Sequence, residues 1–138
     1  MSIIKKTLAL AIYVAGGPVT LKDCGVDTAL FTINSMSIVP PFATPGTSST
    51  LNLDYTVPGG TTVTDGTTKY EFTFNGIPFT PTVESLCQNI PCPLGPGSYQ
   101  NASDVDWPTG LSGKLKTRMT WLDLDSTLLL CLDTSASL

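Results

Sequence analysis

The sequence predicts an all-β fold, a sandwich of two antiparallel sheets. Three observations carry this: several segments alternate apolar and polar residues with period two, turn-forming pairs separate them, and nothing beyond the first residues has helical periodicity. The chain has 138 residues, of which 41% are hydrophobic and 13% charged. That is the size of one domain, large enough for a real apolar core, and the opposite of a disordered acidic tail. Twelve glycines and eleven prolines, with abundant Thr and Ser, favour strands and turns over helices.

The first strand-like segment is 30–39, with Phe31, Ile33 and Ile38. The proline-rich stretch 40–46 reads as a loop, because proline cannot donate to a ladder. Residues 50–57 alternate cleanly: Leu51, Leu53, Tyr55 and Val57 on one face, Asn52, Asp54 and Thr56 on the other. Pro58-Gly59-Gly60 turns the chain, 61–64 begins another strand, and Asp65-Gly66 is a tight turn or a bulge. Tyr70, Phe72 and Phe74 then alternate with Glu71 and Thr73, and Asn75-Gly76 turns again. Residues 77–96 are rich in proline, and 99–105 form a weaker strand. Over 114–124, Leu115, Thr117, Met119 and Trp121 oppose Lys116, Arg118 and Thr120. Asp125-Ser126 makes a hairpin turn, and the nearly continuous apolar run 127–132 reads as a central strand. Large aromatics on the inner faces serve first as core.

Seven Lys or Arg stand against eleven Asp or Glu, a net charge of −4, with no basic run, so nucleic acid is not an expected partner. There is no histidine, which removes a Ser-His-Asp triad, a Cys-His dyad and any His-ligated metal. The pairs Asp104/Asp106 and Asp123/Asp125 leave an acid hydrolase as a formal option, but turns are commonly acidic for solubility alone. No catalytic residue, metal or cofactor is assigned. Lys114, Lys116 and Arg118 share one side of a strand and read as a solvated face.

Residues 1–16 carry Lys5 and Lys6, then an uncharged apolar run, then small residues. This is the order of a short secretory signal cut after Gly16, leaving 17–138 as the domain. Secretion, or a lumenal compartment, turns the four cysteines Cys24, Cys87, Cys92 and Cys131 into expected disulfides. Three pairings are possible. A four-cysteine metal site would want two CxxC knuckles, which the spacing lacks. In the same setting Asn101-Ala102-Ser103 is a glycosylation acceptor at Asn101.

An ordered set of features resembles the ML lipid-recognition domain family. Lys22-Asp23-Cys24-Gly25 follows the leader. Gly76-Ile77-Pro78-Phe79 precedes a short stretch ending in Cys87, and Cys92-Pro93-Leu94 follows. Residues 113–121 resemble the family's penultimate strand, and Leu122-Asp123-Leu124-Asp125 with 128–131 its closing hairpin. The resemblance spans about residues 20–138. It implies an immunoglobulin-like β-sandwich, disulfides Cys24–Cys131 and Cys87–Cys92, and a lipid tail held between the sheets without catalysis. Soluble Niemann–Pick-type sterol carriers in the family have a further cysteine pair near the loop after the second strand. The loop 40–46 has none, which leaves the branch of fungal phosphatidylglycerol/phosphatidylinositol transfer proteins open.

The expected ligand is therefore one sterol, fatty acid or phospholipid, carried between membranes or to a receptor. By resemblance Phe79 stands at the cavity mouth and Trp107 and Leu111 on the opposite rim. Tyr55, Val57, Phe72, Phe74, Met119 and Trp121 are candidate walls. Apolar loops around Phe42, Phe79 and Leu94 would make transient contact with a bilayer. The competing expectation is a non-enzymatic interaction or structural subunit whose interior is filled by its own side chains.

Overall fold

The computed structural model describes residues 16–138, so the expected leader, Gly16 aside, lies outside the described residues. The strands are β1 (Val19–Asp23), β2 (Thr32–Val39), β3 (Ser48–Val57), β4 (Gly66–Phe74), β5 (Ile77–Pro78), β6 (Thr82–Ser85), β7 (Gly97–Asp106), β8 (Lys114–Asp123) and β9 (Leu128–Ser137). One 3₁₀ turn, Leu86–Gln88, follows β6 and is the only helical element among the described residues. All the pairings are antiparallel. One sheet runs β1-β9-β8-β4-β5 with β6 also on β4, and the other runs β2-β3-β7. This is the sandwich of two antiparallel sheets that the alternation predicts, immunoglobulin-like as the resemblance implies.

Most elements follow from their residues. Leu51, Leu53, Tyr55 and Val57 of β3 are all buried, as the period-two pattern requires. Asn75 and Gly76 both take positive φ, 50° and 81°, and fold β4 onto β5 in a two-residue hairpin. The run Leu129-Leu130-Cys131-Leu132 is buried on both faces. There β9 lies between β1 and β8, while the segment 24–31 runs beside it through Leu30 N–H to Leu128 C=O and Phe31 N–H to Leu129 C=O, 3.0 and 2.8 Å.

Two expectations are corrected. Residues 61–64 form only an isolated bridge, Val63 with Leu94, because the strand proper starts at Gly66. That bridge buries Leu94, 1% exposed, so Leu94 belongs to the core and not to a membrane-touching loop. The strand β1 is absent from the sequence reading: its five residues VTLKD are too few and too charged at one end to stand out.

Both disulfides form as the resemblance implies, Cys24–Cys131 and Cys87–Cys92, and no cysteine is free. They staple one half of the sandwich. In that half Tyr55 stacks on Phe31 and Tyr99, each with ring centroids at 5.7 Å, and meets Trp121 edge-on at 5.2 Å. Around this cluster pack Val57, Val63, Leu86, Ile90, Leu94, Leu129 and Leu130. The other half has a smaller cluster of Ile38, Ala43, Trp107 and Ala136, and it is there that the layers part.

Candidate ligand cavity

A cavity of about 400 Å³ opens between the sheets in the half away from the disulfides. Its six-stranded wall is built from Tyr70 and Phe72 of β4, Leu115, Thr117 and Met119 of β8, and Leu132 and Thr134 of β9. Register explains why these side chains share a face. Tyr70 lies opposite Met119, Met119 opposite Leu132, Phe72 opposite Thr117, and Thr117 opposite Thr134. The facing wall is Leu51 of β3, the end of β7 from Ser103 to Asp106, and Trp107. On β6, Thr82 and Glu84 lie opposite Tyr70 and Thr68, which puts them on the same inner face at the edge. The opening thus lies between the free edge of β7 and the β4–β6 pair.

Trp107 is held firmly. It is 3% exposed, and its indole N–H donates to Ser49 Oγ at 2.9 Å, whose hydroxyl donates in turn to the Pro40 carbonyl at 2.8 Å. Tyr70 stacks on Phe72 with centroids 6.4 Å apart. Burial, and then the neighbouring Glu84 carboxylate, raise the Tyr70 phenol above its ordinary value. The lining is mostly apolar, with hydroxyls at intervals and carboxylates, Glu84, Asp104 and Asp106, at its border.

Of the residues expected from sequence, Phe72, Trp107 and Met119 line the cavity. Tyr55, Val57 and Trp121 lie in the stapled half, fully packed, and burial pushes the Tyr55 phenol up to about 12, with Tyr99 adding to it. The Trp121 indole N–H there has no hydrogen-bond partner. Phe74 lies on the inner-face parity of β4 beyond Phe72 without lining the cavity. Phe79 and Leu111 are outside it, 55% and 47% exposed. They flank it nevertheless: Phe79 N–H bonds to the carbonyl of the wall residue Phe72 at 2.9 Å, and Leu111 lies in the loop joining Trp107 to β8. Leu51, Tyr70, Leu115, Thr117, Leu132, Thr134 and Glu84 were not singled out as site residues. Alternation places Leu51, Leu115 and Thr117 on the inner faces, but nothing local says which part of a face stands over a hollow.

Asn101 lies opposite Leu53, on the inward side of β7 and half-buried, so an attached glycan would have to leave through the gap beside β7. The acidic pairs do not assemble. Asp104 and Asp106 lie opposite Thr50 and Ser48 on the outer face of β7, with Asp106 accepting a hydrogen bond from the Ser48 hydroxyl. Asp123 and Asp125 accept from the backbone N–H groups of Leu124 and Thr127 at 2.8 and 3.0 Å in the β8–β9 turn. Hydrogen bonding to Thr127, side chain and backbone, holds Asp125 below its ordinary value.

A two-layer sandwich stapled at one end and hollow at the other defines a class of small-ligand-binding β domain. The sequence model of the ML domain matches residues 18–138, and the chain belongs to that family. No curated protein sequence matches it. Among solved structures, a Niemann-Pick type C2 protein from the Japanese carpenter ant superposes with a TM-score of 0.62 at 10% identity, covering 84% of this chain and 96% of that one. Chicken MD-1, solved in complex with lipid IVa, gives 0.60 at 12% identity, covering 86% and 88%. These likenesses concern the fold.

Proposed function

We propose that the protein is a non-enzymatic lipid carrier that holds one lipid between its sheets and moves it between membranes or to a receptor, in a secreted or lumenal setting. The observation that carries this reading is the apolar cavity of about 400 Å³ between the layers, within the roughly 300–1,000 Å³ usual for ligand sites. A self-filled interior, the competing expectation, would have no such space. Burial of methylene groups supplies the driving force, at ~0.8 kcal/mol each, or roughly 12 kcal/mol gross for a sixteen-carbon chain. Association and ordering take back several kcal/mol, which still leaves useful affinity. Membership of the ML family and the lipid seen with chicken MD-1 support the same reading.

Exposed Ile77, Phe79 and Leu111 around the opening are the natural surface for passing contact with a bilayer. Two disulfides suit an oxidising compartment.

The test is direct. Protein made by a secreting host, extracted into organic solvent and analysed by mass spectrometry, yields about one lipid per chain. The stripped protein rebinds a fluorescent lipid probe with energy transfer from its tryptophans. Thr117→Trp, which fills the slot from β8, cuts that binding at least tenfold while thermal unfolding stays within a few degrees. Protein that carries no lipid and rebinds neither a fluorescent sterol nor a fluorescent fatty acyl probe overturns the reading.

A further inference from the structure

The charges of this molecule are sorted by face. The described residues hold five basic side chains: Lys22, Lys69, Lys114, Lys116 and Arg118. Register places all five on the outer face of the six-stranded sheet, since each is out of phase with the cavity residues of its own strand. Lys114, Lys116 and Arg118 alternate with Leu115, Thr117 and Met119, Lys69 precedes Tyr70, and Lys22 lies opposite Asp133, which is itself opposite Arg118. The one ion pair among the described residues, Arg118–Asp133 at 2.8 Å, is on that outer face.

The inner face contrasts with this. No Lys or Arg lines the cavity. Its one inward carboxylate is Glu84, half-buried at the edge of the opening, close enough to Tyr70 to raise that phenol, and without an ion-pair partner among the described residues. Asp104 and Asp106 border the same opening from β7, with their side chains turned outward. A ligand entering here meets negative potential at the mouth and finds no cation within. Placing a second anion beside an unpaired carboxylate adds like-charge repulsion to the desolvation cost. An uncharged hydroxyl, in contrast, can donate to Glu84 and accept from Thr82, Thr117 or Thr134.

We infer that Glu84 sets the ligand specificity of the cavity, selecting lipids whose polar end is uncharged and donates a hydrogen bond, and turning away those presenting a free carboxylate or phosphate at the mouth. This rests on the carrier reading.

The experiment separates the two. Stripped protein at pH 7.5 is titrated with two fluorescent probes of one polyene chain, cis-parinaric acid and the corresponding alcohol, against Glu84→Gln and Glu71→Gln. Glu71 lies on the outer face opposite Arg118, so its variant changes net charge equally without touching the cavity. The alcohol is expected to bind at least tenfold tighter than the acid. Glu84→Gln is expected to recover most of that difference by tightening the acid, while Glu71→Gln leaves it unchanged. Thermal unfolding of each variant confirms the fold, and Glu84→Ala serves as a second neutralising variant. Binding of neither probe overturns this inference, and the carrier reading falls with it when the protein also carries no lipid and rebinds no fluorescent sterol. Equal binding of acid and alcohol, or equal effects of the two glutamine variants, overturns the inference and leaves the carrier standing.

Discussion

At the scale of single residues, the site depends on polar atoms that hold apolar ones in place. Ser49 is 1% exposed and relays the Trp107 indole N–H to the Pro40 carbonyl. Ser49→Ala leaves the buried Trp107 indole N–H without its partner, which costs about 1–3 kcal/mol for a donor so orphaned. The expected outcome is a lower urea midpoint with an unchanged slope, together with a shifted tryptophan emission that Trp121→Phe retains. An unchanged midpoint would mean that Trp107 is held by packing alone. This relay was illegible in the sequence, because Ser49 and Trp107 are 58 residues apart and neither residue type announces its partner. Phe72 and Met119 were legible as candidates through size and phase, and Trp107 through the family resemblance. Thr134 and Glu84 were not, since a threonine or glutamate at a strand position reads as solvent-facing until the opposite layer is placed, and Thr117 was legible only as an inner-face residue.

At the scale of elements, alternation is the dominant signal, and it succeeds where one face is buried along the whole strand. β3 is the clearest case, and as the middle strand of its sheet it pairs with β2 and β7 over its length. Leu53 on its inner face is 2% exposed, so Leu53→Ala removes packing at the centre of the sandwich. A loss of about 2–5 kcal/mol is expected from denaturant unfolding. A change below 1 kcal/mol would show that the layers collapse onto the gap. Alternation also explains the misplaced walls. Leu51, Tyr55 and Val57 share one face of β3, yet only Leu51 reaches the cavity, while Tyr55 and Val57 lie over the packed aromatic cluster. Period two fixes the face and is silent about position along the strand, which depends on how far the second sheet has splayed. It fails altogether for β1, whose short run gains its identity only by pairing with β9.

At the scale of the whole molecule, rigidity and emptiness are kept apart. Both disulfides lie in the half packed with Tyr55, Trp121 and the buried leucines, and the cavity lies in the other half. Such a division lets one end of the sandwich gape for a guest without loosening the other. The two bridges differ in what they constrain. Cys24–Cys131 closes a sequence separation of 107 residues and Cys87–Cys92 one of 5. In the chain-entropy view the first restricts the unfolded chain by up to about 4.7 kcal/mol and the second by about 2 kcal/mol. The double substitution Cys24→Ser/Cys131→Ser is therefore expected to lower the unfolding midpoint more than Cys87→Ser/Cys92→Ser does. Neither is expected to weaken a lipid probe more than severalfold under conditions where the protein stays folded, because no cysteine lines the cavity. The measurement is a pair of denaturant curves with a probe titration on each variant below its transition. If the Cys24–Cys131 variant kept its midpoint and lost the probe, the staple would be shaping the cavity itself, and the separation of a rigid end from a hollow one would not hold.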